Sequence, residues 1–132
     1  MKKFTILLLL SSLFVACSQK EDNNNILLSS LVGNYSWAVT SGGIANIHQT
    51  PENTGNTASL VITGTTFSVF ENGQLIADYT YLLDEKNSEI FGELREFLIL
   101  ENAHEYIIEF NGDTLVLIDD HADCLSHGYI KE

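Results

Sequence analysis

The sequence predicts an all-β domain, a small up-and-down antiparallel β-barrel of about eight strands. Three observations carry that reading. Short runs rich in β-branched and aromatic residues recur along the chain, separated by Gly, Asn, Asp or Pro. Two Asn-Gly pairs lie between such runs. Helical periodicity is almost missing, so helices are not expected to cover the faces of an open sheet, and a barrel or a two-sheet sandwich remains. The scarcity of long cross-connections favours the barrel over a Greek-key sandwich.

The elements follow in order. Met1-Lys2-Lys3 is a positive start, Phe4 to Leu10 an apolar stretch and Ser11-Ser12 a polar break, the layout of a secretory signal. The apolar run is too short for a membrane-spanning helix, which needs about 20 residues. It ends at Leu13-Phe14-Val15-Ala16-Cys17, which resembles the lipobox of bacterial lipoproteins, with Cys17 as the lipid-attachment residue. An ordinary cleaved signal with an unmodified Cys is the competing reading. Residues 1–16 are therefore read as a lipoprotein signal peptide and residues 17–26 as a disordered, acidic and Asn-rich tether, whose Ser18-Gln19-Lys20-Glu21-Asp22-Asn23-Asn24-Asn25 holds no apolar surface to bury. Residues 27–132 form the domain. Ile26 to Val32 is ambiguous and fits one helical turn closing an end of the fold. Strands are expected at Tyr35 to Thr40, Thr57 to Thr63, Thr66 to Phe70, Leu75 to Leu83, Glu96 to Leu100, Glu105 to Phe110, Thr114 to Ile118 and Ser126 to Lys131.

Asn72-Gly73 and Asn111-Gly112 each suit a tight type I′ hairpin turn, because both residue types tolerate positive φ. With Asn111-Gly112 as the loop, Phe110 faces Asp113, Ile108 faces Leu115 and Tyr106 faces Leu117. Tyr106, Ile108, Leu115 and Leu117 then share one buried face, while Ile107, Val116 and Ile118 suggest that the other face is partly covered. At Asn72-Gly73 the same rule leaves both faces mixed, and a bulge would change that register.

Composition bounds the function. The chain has 132 residues, 18 acidic and six basic, for a net charge of −12. Removal of residues 1–16 leaves Lys20, Lys86, Arg95 and Lys131 as the cations against all 18 carboxylates. No basic stripe for phosphate exists, so a nucleic-acid partner is not expected. The same excess repels anionic lipid headgroups, so membrane contact is expected through acyl chains on Cys17 alone. With Cys17 acylated, Cys124 has no partner for an internal disulfide and reads as a small half-buried residue.

No constellation points to catalysis. Gly-x-Ser-x-Gly, His-Glu-x-x-His and phosphate-cradling glycine loops do not occur, and the adjacent Ser126 and His127 must point to opposite faces of a strand. Asp119-Asp120-His121-Ala122-Asp123-Cys124 with His127 has the atoms of a metal site, but neither EF-hand nor paired Cys/His spacing, and reads as a polar loop. No cofactor and no metal are expected. His48 and His104 lie near turns and read as solvent-facing. Ser41-Gly42-Gly43 and Thr50-Pro51-Glu52-Asn53-Thr54-Gly55 read as rim loops, where specificity in a barrel would reside.

The stretch Leu31-Val32-Gly33-Asn34-Tyr35-Ser36-Trp37, with Ser41-Gly42-Gly43-Ile44-Ala45, Glu71-Asn72-Gly73, Glu105 to Phe110 and Gly112 to Leu117, resembles the short lipocalin-like lipoproteins of Bacteroidetes over nearly the whole domain. The resemblance implies an eight-stranded lipocalin-like barrel whose interior takes one small apolar molecule. It also implies a closing pair in which Tyr35 stands at the Trp position of a Gly-x-Trp motif and Lys131 supplies the cation over its ring. Within such a cavity, Tyr79, Tyr106, Ile108, Leu115 and Leu117 would face the ligand. The acidic stretch after Cys17 resembles the export tag of surface lipoproteins of that group, which implies an outer-membrane location, either surface-exposed or facing the periplasm. Two functions stand side by side: a carrier of a small apolar ligand, and a non-enzymatic interaction module with a filled barrel whose rim loops contact an envelope protein. Interior volume separates them.

Overall fold

A computed structural model describes residues 19–132; the signal segment and Cys17 lie outside the described residues. The strands are β1 (Gly33–Gly42), β2 (Ile47–Gln49), β3 (Ala58–Ile62), β4 (Thr66–Glu71), β5 (Gln74–Asn87), β6 (Leu94–Leu100), β7 (Glu105–Asn111), β8 (Thr114–Asp119) and β9 (Leu125–Lys131), with helices α1 (Gln19–Leu31) and α2 (Pro51–Thr54). One antiparallel sheet runs β2-β1-β3-β4-β5-β6-β7-β8-β9, and β9 returns to pair with β1 from Tyr35↔Lys131 to Gly42↔Leu125. The result is the predicted up-and-down barrel of eight strands. β2 is an extra strand on the far end of β1. Closure leaves the eight barrel strands without a free edge.

Strand alternation fills the interior. Tyr35, Leu60, Ile62, Phe67, Leu98, Leu100, Ile108, Leu115 and Leu117 are buried there, and Val69, Tyr79, Tyr81, Leu83, Tyr106 and Tyr129 pack against them. Two bulges keep the pattern in phase. In β1 the pairing shifts between Trp37 and Val39, so that Trp37 stands opposite Tyr129 and Thr40 opposite His127. Without that extra residue Val39, not Thr40, would stand opposite His127. The second bulge lies between Val69 and Phe70, where Leu75 faces Phe70 but Ala77 faces Val69. Ile76 is the added residue, and its insertion brings Val69, Ala77 and Tyr79 into phase. This resolves the mixed faces that a bulge-free hairpin produces.

The Asn72-Gly73 turn has the expected geometry, with φ of 48° and 79° and Glu71 paired to Gln74. The second hairpin differs. Asn111 pairs with Thr114, Phe110 with Leu115, Ile108 with Leu117 and Tyr106 with Asp119, so the loop is Gly112-Asp113 and each pairing moves by two residues from the expected one. Gly112 alone takes positive φ, 61°, as a type II′ turn requires at its first central position. A shift of two preserves parity, so Tyr106, Ile108, Leu115 and Leu117 remain on the inner face.

Helix α1 extends beyond the single turn expected at Ile26 to Val32 and reaches into the stretch read as tether. Its Asn-rich sequence has little intrinsic helix propensity, and tertiary contact anchors it: Leu31 is fully buried and Leu27, one turn earlier, packs on the same interior cluster. The helix thereby plugs the barrel end where β1 begins. On the outer wall, Phe97, Ile107 and Ile118 form a second cluster covered by Ile90 and Cys124, which accounts for the apolar residues on the far side of β7 and β8.

A crevice at the open end of the barrel

The two ends of the barrel are built differently. At the helix-plugged end, the Lys131 ammonium lies 5.6 Å from the centre of the Tyr35 ring and donates to the Ser30 carbonyl at 3.0 Å. The Tyr35 hydroxyl donates to the Leu31 carbonyl at 2.8 Å. Burial, and then Tyr81, raise its pKa above that of an ordinary phenol. Gly33 explains the close packing, because a Cβ there would stand 2.7 Å from Lys131 Cε. The Tyr35 and Lys131 pair named from the sequence is thus brought together across β1 and β9, and it ties α1 down as well as closing the barrel.

All five residues named as ligand-facing lie on the inner wall, but mostly as packing. Ile108, Leu115 and Leu117 are 7%, 0% and 1% exposed. Tyr106 rests on Phe67 with ring centres 6.4 Å apart. Between them lies an inner cavity of about 80 Å³ bordered by Leu60, Phe67, Tyr106, Leu117, His127 and Tyr129. Tyr79, Ile108 and Leu115 do not border it. Burial, followed by the charge of Asp119 and by Tyr79, pushes the Tyr106 hydroxyl up to about 12. Burial first and Tyr106 second also raise Tyr129.

Opposite Tyr106 on the neighbouring strand stands Asp119, only 8% exposed. Its Oδ1 is 3.1 Å from His104 Nε2, and its Oδ2 lies 3.8 Å from His127 Nε2 and 3.9 Å from His121 Nε2. His104, expected to face solvent, is exposed but hydrogen-bonded to this carboxylate. His127 turns its other nitrogen to the Thr40 hydroxyl at 3.0 Å, and burial holds its pKa below that of an ordinary imidazole, against the opposing pull of Asp119. The rest of the acidic loop disperses. Asp120 accepts from the Ser88 hydroxyl and from the Glu89 and Ile90 amides at 2.7–3.1 Å, Asp123 accepts from the Ile44 amide, and Cys124 sits half-buried on the outer cluster. Among the described residues no three His, Cys, Asp or Glu side chains are arranged to hold a metal ion.

The sequence marks Thr50 to Gly55 as a rim loop where specificity would reside, and Thr54 of that loop lines a crevice at the open rim, but nothing in the sequence marks Trp37, Gln49, Asn56 and Tyr129 as its wall. Past Ser36 strand β1 leaves β3 and pairs with β2 instead. The gap holds α2, whose Thr50 and Asn53 form a reciprocal capping box, with Pro51 in its first turn and Gly55 at φ 72° behind it. The Asn53 amide also donates to the His48 carbonyl at 3.0 Å. Thr-Pro-x-Asn-Thr-Gly was the available sequence signal for this element. Between β1, the β2–α2 segment and the start of β3 lies a crevice of about 260 Å³, lined by Trp37, Thr40, Gln49, Asn56, Thr57, Glu71, Tyr129 and their neighbours. Trp37 and Tyr129 are direct cross-strand partners, and the indole Nε1 donates to Thr40 Oγ1 at 3.0 Å. The indole is therefore held by a chain that runs through Thr40 and His127 toward Asp119. Tyr129 belongs to the wall of the crevice and to the wall of the inner cavity.

The protein is thus a closed eight-stranded antiparallel barrel, plugged by a helix at one end and open to a mixed aromatic and polar crevice at the other. No family model, curated protein or solved structure matches this chain.

Proposed function

We propose that this protein is a lipid-anchored envelope module without enzymatic activity that binds at the open rim of a filled barrel, instead of carrying an apolar molecule inside it. The observation that carries this reading is the interior volume. Small-molecule pockets usually enclose about 300–1,000 Å³, and the inner cavity amounts to about 80 Å³, room for a few waters but not for an acyl chain. Of the two functions that the sequence leaves open, the interaction module is therefore the better supported.

Polarity along the barrel supports the same reading. Helix α1 starts at Gln19, two residues after Cys17, and plugs the end at Gly33, Ile62 and Lys131. Acyl chains on Cys17 would hold that end toward the outer membrane and turn the crevice away from it, whether the domain stands in the periplasm or on the cell surface. Native mass spectrometry of the chain from Ser18 onward, incubated with a lipid extract of its host, tests the proposal. The bare protein mass is expected; a discrete lipid adduct that survives desalting would overturn it. Mass shift and detergent partitioning of the full-length product, against Cys17→Ser, test the anchor separately.

A further inference from the structure

We infer that the rim crevice takes a single neutral sugar residue, an inference that rests on the rim-binding reading and adds the class of ligand. Size comes first. A crevice of about 260 Å³ falls just below the range for drug-sized ligands, which suits one pyranose ring or a chain end but not a peptide segment. The second argument is chemical. Sugars present apolar C–H faces and an equatorial belt of hydroxyls that both donate and accept. Trp37 and Tyr129 offer half-buried ring surface, and the side chains of Gln49, Asn56 and Thr57 offer amide and hydroxyl groups that also both donate and accept.

Charge excludes the nearest competitors. Neither Lys nor Arg lines the crevice, and the chain carries a net charge of −12, so phosphates and carboxylates are disfavoured. A cation would find two rings and Glu71, but a quaternary ammonium site is an aromatic cage, and here the remaining wall is amide and hydroxyl. Preorganisation is the third argument. The indole is fixed by Thr40, which is 8% exposed and itself bonded to His127, so little ring motion has to be frozen on binding.

Trp37 is the sole tryptophan of the chain, and its emission therefore reports the crevice alone. Protein expressed from the full-length chain and purified in detergent is titrated with D-glucose, D-galactose and N-acetyl-D-glucosamine, and with choline as the cationic probe. A saturable emission shift with at least one sugar, at millimolar dissociation constants typical of shallow sites, is expected. Gln49→Ala, at an exposed position that leaves the barrel intact, should weaken it by about five- to tenfold, the share of one hydrogen bond. Glu71→Gln should weaken sugar binding far less than choline binding, because the amide still offers an oxygen acceptor to a sugar hydroxyl while the charge that a cation needs is gone. A response to choline alone, abolished by Glu71→Gln, would overturn the sugar assignment, and so would silence with every probe. The failure of the rim reading itself is distinct, since it appears as a lipid adduct in the native mass spectrum.

Discussion

Leu117→Ala tests whether the barrel is filled. Leu117 is 1% exposed, stands opposite Ile108 on β7 and His127 on β9, and forms part of the wall of the inner cavity. Truncation deletes three carbon groups at about 0.8 kcal/mol per methylene, or roughly 2.4 kcal/mol of lost transfer energy. The void merges with the existing cavity and cannot collapse onto it, which adds a cavity term of about 24 cal/mol per Å³ of residual space. A total of about 3–4 kcal/mol is expected, a large fraction of the roughly 5–15 kcal/mol that holds a domain of this kind together. The fall in Tm is on the order of 15–25 °C for a domain of about a hundred residues. Urea denaturation followed by circular dichroism measures the loss. Leu82→Ala is the control, because Leu82 is 70% exposed on the outer wall and should change stability by less than about 0.5 kcal/mol. A loss below about 1 kcal/mol for Leu117→Ala would refute the reasoning. It would mean that the interior already holds water or ligand around this side chain, which is what a carrier needs.

Three further predictions follow from the site. Burial depresses the His127 pKa, so the folded state binds fewer protons than the unfolded one below the ordinary imidazole value. Stability should fall as pH drops below about 6.5, and His127→Gln should flatten that part of a urea-midpoint profile against pH. Tyr106, pushed up to about 12 chiefly by burial, has the opposite sign: stability is lost as pH rises from about 10, the ordinary phenol value, toward its folded value. Ultraviolet absorbance titration should show late phenolate ionisation that Tyr106→Phe reduces but does not abolish, since burial raises Tyr35, Tyr81 and Tyr129 as well. At the plugged end, Lys131→Met keeps the stem and deletes the cation, for an expected loss of about 0.5–1 kcal/mol. Gly33→Ala displaces the same stem, so a double-mutant cycle of the two in urea denaturation should be non-additive by at least about 0.5 kcal/mol.

What the sequence made legible depended on parity. Tyr106, Ile108, Leu115 and Leu117 are placed on the inner wall even though the turn moved from Asn111-Gly112 to Gly112-Asp113, because a shift of two leaves every side chain on its own face. Gly112 can serve a type I′ turn at its second central position or a type II′ turn at its first, and composition does not resolve the choice. The bulge at Ile76 shows the opposite sensitivity. One added residue exchanges the two faces of half a strand, and the mixed pattern of Leu75 to Tyr79 was its trace.

The crevice escaped notice for a different reason. Its residues come from β1, β2, the α2 segment that leads into β3, the start of β3, the end of β4 and β9, and none of them stands in a spacing that chemistry alone requires. What joins them is barrel closure: once Tyr35 is set opposite Lys131, Trp37 must fall beside Tyr129, and the β1 bulge then turns Thr40 inward beneath the indole. The closing pair and the crevice are consequences of the same register. Closure that serves stability at the plugged end therefore also fixes the aromatic wall at the open end, and a slip of β9 against β1 would remove both together. The β2–α2 segment offers a way to lose the crevice without losing the barrel. Deletion of the capping box by Thr50→Ala should cost no more than about 1 kcal/mol, since no residue of α2 is buried, and it should loosen the crevice wall while the barrel stays folded.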